Sequence, residues 1–267
     1  MTAIANPSVD CSRRCMRMLC VALFLLALSA ACSAYETEYF DWKGLQLYAS
    51  RNYTDAIAYF DQATNQDPQY VDGWVHKADA QRAMRDYNGS LLNYSRALDI
   101  DRNKTTALSG MVEAYTALKE YANASRAAAR LTELGPKNKG NWLREGNLLQ
   151  MQGLYNDSRT KYEGALALDA KYRDAVYGEG ISFMALGDDA RALELFDQVL
   201  EIDPNYKQAY NAEGLAFEGE KNYDKALEAY DKALEIDPKW TLAKANRVQA
   251  LLALGRLNDS MRALVNT

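Results

Sequence analysis

The chain has 267 residues, 48% of them hydrophobic and 25% charged, with 36 acidic side chains against 31 basic ones. After Ser33 it carries one histidine (His76) and no cysteine, since Cys11, Cys15, Cys20 and Cys32 all come first. Beyond Ser33 this excludes a disulfide framework, a Cys₂His₂-type metal site and Cys–His nucleophilic catalysis, and a net charge of −5 gives a weak electrostatic claim on nucleic acid. A Ser-His-Asp triad would have to use His76, which stands in no supporting motif.

Residues 1–34 read as a targeting segment. Arg13, Arg14 and Arg17 precede an apolar run from Met18 to Cys32, and small residues follow it, the order of a secretory leader. Translation beginning at Met16 or Met18 would give a leader of more usual length. Arginines before the run and Glu36, Glu38 and Asp41 after it place the remainder outside the cytoplasm. Three fates are open: cleavage after Ala31 or Ala34, retention as a short membrane anchor, or lipidation of Cys32. The last rests on Leu-Ser-Ala-Ala-Cys, which resembles a lipoprotein signal but has Ser29 where that family prefers leucine. Without this segment the chain has 28 basic and 35 acidic groups.

From Thr37 the sequence repeats every 34 residues without insertion: Thr37–Tyr70, Val71–Lys104, Thr105–Asn138, Lys139–Tyr172, Arg173–Tyr206, Lys207–Trp240 and a shorter Thr241–Thr267. The prolines Pro68, Pro136, Pro204 and Pro238 mark this period. In the clearest block Tyr210, Gly214, Phe217, Tyr223, Ala226, Tyr230, Ala233 and Pro238 hold set places. The first block answers with Phe40, Gly44, Leu47, Tyr53, Ala56, Phe60, Ala63 and Pro68. Apolar residues recur at helical spacing in two bursts per block, interrupted near Gly153, Gly187 or Gly255, which predicts a pair of helices of about a dozen residues. Gly44, Gly146, Gly180 and Gly214 fall inside the first helix, where a neighbour must pass too close for a Cβ. Asp67-Pro68, Asp203-Pro204 and Asp237-Pro238 stop the second helix, because a residue before proline avoids the α region.

This pattern resembles the tetratricopeptide repeat (TPR) and covers the chain from residue 35 onward. The resemblance implies an all-α, right-handed superhelical solenoid of about seven helix-turn-helix repeats, each burying its apolar face only against its neighbours. The third block departs from the pattern, with Met111-Val112 at the glycine site and Ala128 at the aromatic site, so looser packing or a kink is expected there. The last block is truncated and apolar (Leu251, Leu252, Leu254, Leu257), without a polar capping helix.

Asn-X-Ser/Thr acceptors stand at Asn52, Asn88, Asn93, Asn103, Asn123, Asn156 and Asn258. Asn88, Asn156 and Asn258 are equivalent in their blocks, and Ser90, Ser158 and Ser260 take the place of the small alanine found at Ala192 and Ala226. That pairing predicts glycosylation along one rim, at the turns between helices, with Asn103 on the opposite edge.

In the TPR family, partners lie against the first helices of the repeats. The resemblance therefore offers Tyr48, His76, Asp79, Arg82 and Glu113 as inward-facing residues. In the later blocks it offers Leu143, Arg144, Asn147, Tyr177, Ile181, Met184, Asn211, Leu215, Glu218, Asn246 and Gln249. Chaperone-binding members clamp a C-terminal carboxylate with lysines and asparagines. Here the first two lysine sites read Asp41 and Val75, which speaks against that clamp. Apolar side chains with Arg144, Asn147 and Asn211 suit an extended peptide. The expectation is an exported, envelope-tethered adaptor or scaffold for a protein or peptide partner, extracytoplasmic, without catalysis, metal, cofactor or nucleic acid. The rival is a glycosylated spacer or assembly factor with no dedicated peptide ligand.

Overall fold

The computed structural model describes residues 34–256, and every regular element among them is an α-helix. The first 33 residues, with Cys32 and most of the targeting segment, lie outside the described residues, as does Asn258. The helices are α1 (34–49), α2 (Tyr53–Gln66), α3 (Val71–Ala83), α4 (Tyr87–Ile100), α5 (Thr105–Ala117), α6 (Tyr121–Leu134), α7 (Lys139–Met151), α8 (Tyr155–Leu168), α9 (Arg173–Ala185), α10 (Asp189–Ile202), α11 (Lys207–Gly219), α12 (Tyr223–Ile236) and α13 (Thr241–Ala253). From α3 onward each odd-numbered helix begins on the first residue of a 34-residue block, so the sequence register is the structural register. No helix among the described residues is long and apolar enough to cross a membrane.

The described residues form two compact units, divided after Leu118, between α5 and α6 inside the third block. That block is the one whose pattern lapses. Val112 and Ala128, the residues that replace its glycine and aromatic, are both buried.

The turns between paired helices explain why glycine marks only some of them. Residues 51, 85, 119, 153, 187, 221 and 255, spaced by 34, all have positive φ; Gly153, Gly187 and Gly255 share the position with Arg51, Arg85, Lys119 and Lys221. At 51, 85, 153, 187, 221 and 255 the backbone closes the first helix of the pair as a Schellman turn. At the last hairpin of the first unit the N–H of Arg85 bonds the carbonyl of Arg82, and that of Asp86 bonds Gln81; Lys221 and Asn222 repeat this with Glu218 and Phe217. Asp86, Asp188 and Asn222 then cap the following helix through their side chains, accepting from Gly89, Arg191 and Lys225. At the other end Asp67 and Asp203 are extended before their prolines, as expected.

Helical spacing sets what is buried. α12 turns Ala226, Leu227, Tyr230 and Ala233 inward at i, i+1, i+4 and i+7. In the first, fourth, fifth and sixth blocks the aromatic of the second helix packs on the mid-helix glycine of the first: a Cβ added at Gly44, Gly146 or Gly180 would come 2.5, 2.7 or 2.6 Å from the rings of Phe60, Tyr162 or Phe196. Tyr162 is pressed from a second side, since a Cβ at Gly178 on α9 would lie 2.6 Å from the same ring. Ala56, Ala192 and Ala226 are fully buried, and so are Ser90 and Ser158 at the equivalent positions.

Three successive hairpins of the second unit are closed at their open ends by one device. Lys139 bonds Asp169 (2.5 Å) and sits over Tyr172; Arg173 bonds Asp203 (2.7 Å) and sits over Tyr206; Lys207 bonds Asp237 (2.5 Å) and sits over Trp240. The cation comes from the first residue of the block, and the carboxylate and ring come from its end.

Candidate functional site

In the second unit the first helices of neighbouring repeats touch one another, α7 with α9, α9 with α11 and α11 with α13. The second helices contact only first helices, which makes the first helices the inner layer. Residues spaced by three, four and seven positions share one face of such a helix. Leu143, Tyr177, Ile181, Met184 and Leu215 are half-buried there, and Arg144 and Asn147 are exposed. Asn147 is oriented by its neighbour, its carbonyl oxygen accepting the Tyr162 hydroxyl at 2.8 Å, while its amide N–H₂ is not used in that bond.

Several of these side chains also serve the fold. Tyr177, Ile181 and Met184 pack on the Phe183–Phe196 core, with the Tyr177 ring 5.8 Å from Phe196 and 5.3 Å from Tyr206. Burial pushes the Tyr177 hydroxyl up to about 12, so it stays a neutral donor. Asn211 requires a correction. It is buried, and its carbonyl oxygen accepts from the Asn246 amide at 2.9 Å, so both asparagines brace α11 against α13 instead of facing a ligand. Glu218 is half-buried with one carboxylate oxygen unpartnered, and burial raises its pKa.

The first unit gathers charge on its inner helices. Asp79 on α3 accepts the Tyr94 hydroxyl, and Arg82 bonds Tyr94, Asp79 and Glu113 of α5. His76 is a brace more than a lining residue. Its Nδ1 lies 2.7 Å from Asp41 of α1, its ring stacks near Phe60, and Asp41 also accepts the Tyr70 hydroxyl at 2.9 Å. Burial works against a charged imidazole, but the bond to Asp41 and its charge outweigh this and hold His76 above its ordinary value. Asp41 and Val75 are both buried, so the positions of a carboxylate-clamping lysine pair are closed.

Of the described acceptors, Asn52, Asn88, Asn123 and Asn156 lie at or within three residues of the start of α2, α4, α6 and α8, and Asn103 lies between α4 and α5. Asn52, Asn88, Asn103 and Asn156 are exposed and Asn123 is half-buried. Asn93 is a second correction. Only 5% of it is exposed, and its amide donates to Gln81 (2.5 Å) and to the Gly89 carbonyl (3.1 Å), so in the folded chain no sugar fits on that nitrogen. Ser90 and Ser158 are core residues whose hydroxyls bond the carbonyls of Tyr87 and Tyr155. Glycan addition at Asn88 or Asn156 would therefore have to precede folding.

Tetratricopeptide repeat models match residues 43–105 and 143–207, and a further one matches 208–239, together more than half of the chain. The heat shock protein sti1 homolog of Schizosaccharomyces pombe is 28% identical over 102 residues, 38% of this chain and 17% of that protein's length. A tetratricopeptide repeat protein from Parabacteroides merdae superposes over 86% of this chain and 91% of its own with a TM-score of 0.69 at 16% identity. YrrB, described as a TPR protein with an unusual peptide-binding site, covers 69% of this chain and 95% of its own (TM-score 0.58, 24% identity). MamA covers 63% and 92% (TM-score 0.58, 24% identity). At these identities the likeness to solved structures is one of fold. With the period, the turns and the glycine–aromatic packing in register, the chain belongs to the tetratricopeptide repeat family.

Proposed function

We propose that the protein is an adaptor or scaffold that binds an extended peptide segment of a protein partner along α7, α9 and α11. The observation that carries this reading is the inner face of the second unit. Half-open apolar side chains (Leu143, Ile181, Met184, Leu215) share these first helices with the exposed Arg144 and with Asn147, whose side chain is fixed by Tyr162, a pairing of apolar anchors with a few polar groups. YrrB, a fold relative, is described as carrying a peptide-binding site, which supports the same use of the fold. The arginines and apolar run before residue 34 support export, with tethering through that segment or a lipid on Cys32 and an extracytoplasmic location.

Selection of peptides from a random library on the chain, followed by titration against wild type and an Arg144→Glu/Asn147→Ala variant, tests the binding reading. Selected peptides should bind wild type and lose at least tenfold in affinity on the variant, while Glu113→Lys in the first unit leaves them unaffected. Equal affinity for wild type and the double variant would remove the assignment to this face. Intact-mass measurement and membrane fractionation of natively expressed protein test glycans, cleavage and lipid separately; a mass equal to that of the bare chain would end the modification proposals.

A further inference from the structure

The 34-residue register also aligns the charges where each second helix meets the first helix of the following repeat. At this seam Asp61 of α2 bonds Lys77 of α3 and Asp231 of α12 bonds Arg247 of α13, each at 2.5 Å. At the α8–α9 and α10–α11 seams of the second unit both of these positions are acidic: Glu163 of α8 opposes Glu179 of α9, and Asp197 of α10 opposes Glu213 of α11. Glu179 and Glu213 are buried, at 9% and 7% exposed, and Asp197 and Glu163 lie at the open side of the seam. Glu145, which holds the same place on α7, turns instead to Lys161 of its own hairpin at 2.8 Å.

Two carboxylates at positions that elsewhere in the register form ion pairs, one of them buried, cannot both ionise without cost, and a hydrogen bond between them exists only when one holds a proton. The surrounding charges leave Glu213 the more exposed to this conflict. Among the described residues, the charged groups acting on it are Asp197 from α10 and Lys232 from α12. Glu179 feels Glu163 and Arg159, both from α8, and Arg159 partly compensates by pairing with Glu163 at 3.4 Å.

We infer that the Glu213–Asp197 seam, with Glu179–Glu163 as a weaker copy, is a proton-operated joint: a shared proton tightens α11 against α10 in mild acid, and its loss loosens them near neutral pH. The joint stands on the repeat register and on burial, whatever the inner face binds. Desolvation first, and then the Asp197 charge and hydrogen bond, push the Glu213 carboxyl up to about 7 in the folded chain, against an ordinary value of 4.5. Because the folded-state value is the higher one, the stabilisation is fully present below the ordinary value and is lost as pH rises through about 7.

Hydrogen exchange of the full chain at pH 5.5 and 8.0, corrected for intrinsic rates, reads the joint directly. Amides of α10 and α11 should open roughly twentyfold more often at pH 8.0 than at pH 5.5. Glu213→Gln should abolish that ratio, and Glu213→Lys, which would supply an ion pair like that of the α12–α13 seam, should raise protection at pH 8.0 above wild type. Equal opening of wild type at the two pH values, persistence of the ratio in Glu213→Gln, or weaker protection in Glu213→Lys at pH 8.0 would each overturn the inference.

Discussion

Replacing Gly146 by alanine should destabilise the second unit although alanine is the better helix former. The exchange gains about 1 kcal/mol of helix propensity. Against it stands the ring of Tyr162, which is fully buried and would lie 2.7 Å from the new Cβ, with a second ring carbon at 2.9 Å. The ring has no retreat. Gly178 of α9 already lets it approach to where a Cβ would stand 2.6 Å away, and its hydroxyl is held by Asn147. Forced shifts of this kind cost typically 1–3 kcal/mol and here fall at the upper end, so the net loss should be about 1–2 kcal/mol. Hydrogen exchange in α7–α9 is the assay, because stacked repeats need not unfold in one step. In a Tyr162→Leu background, which removes the ring atoms nearest both glycines, the Gly146→Ala penalty should fall below half. Protection equal to or above wild type in Gly146→Ala alone would show that the ring has room, and would refute the close-approach argument for the whole glycine series.

Other consequences can be checked in the same way. Lys221→Gly should raise stability by about 0.5–1 kcal/mol, since the position has φ of 60° and an exposed side chain; an unchanged melting temperature would deny that the turn carries strain. Asn211→Leu should cost about 1–3 kcal/mol by orphaning the Asn246 amide, and Asn211→Leu/Asn246→Leu should recover most of it in chemical denaturation. Asp41→Asn should flatten the pH dependence of protection in α1 and α3. The raised His76 stabilises the folded chain fully below its ordinary value of 6.5 and loses that effect as pH climbs through its folded-state value, so wild type should lose protection there on passing to pH 8.5 while the variant does not.

The repeat boundaries were legible because spacing is a property of the chain: cutting every 34 residues placed Val71, Lys139 and Thr241 on the first residue of a helix. Glycine marked the turns at 153, 187 and 255, while the period, and not residue type, located the same turn at Arg51 and Lys221. Partners across repeats were less legible. Nothing in the sequence around Asn211 distinguishes an amide open to a peptide from one bonded to Asn246, and the acceptor pattern at Asn93 says nothing of its bond to Gln81. The pairing of Asn88 with Ser90 and Asn156 with Ser158 has a packing cause on the serine side, where only a small residue fits. A clue for His76 was present, since Asp41 stands where related clamps place a lysine, yet only the fold brings the two within 2.7 Å.

The ring-and-carboxylate closures at Lys139, Arg173 and Lys207 have a bearing on how such a chain changes length. Each closure is written entirely within its own block, from the opening cation to the final aromatic. Excising residues 173–206 would join Tyr172 to Lys207 and leave both remaining closures intact, with a first-helix residue again following an aromatic. The architecture is thus editable by whole modules, gaining or losing reach in steps of one hairpin while every retained module keeps its own latch.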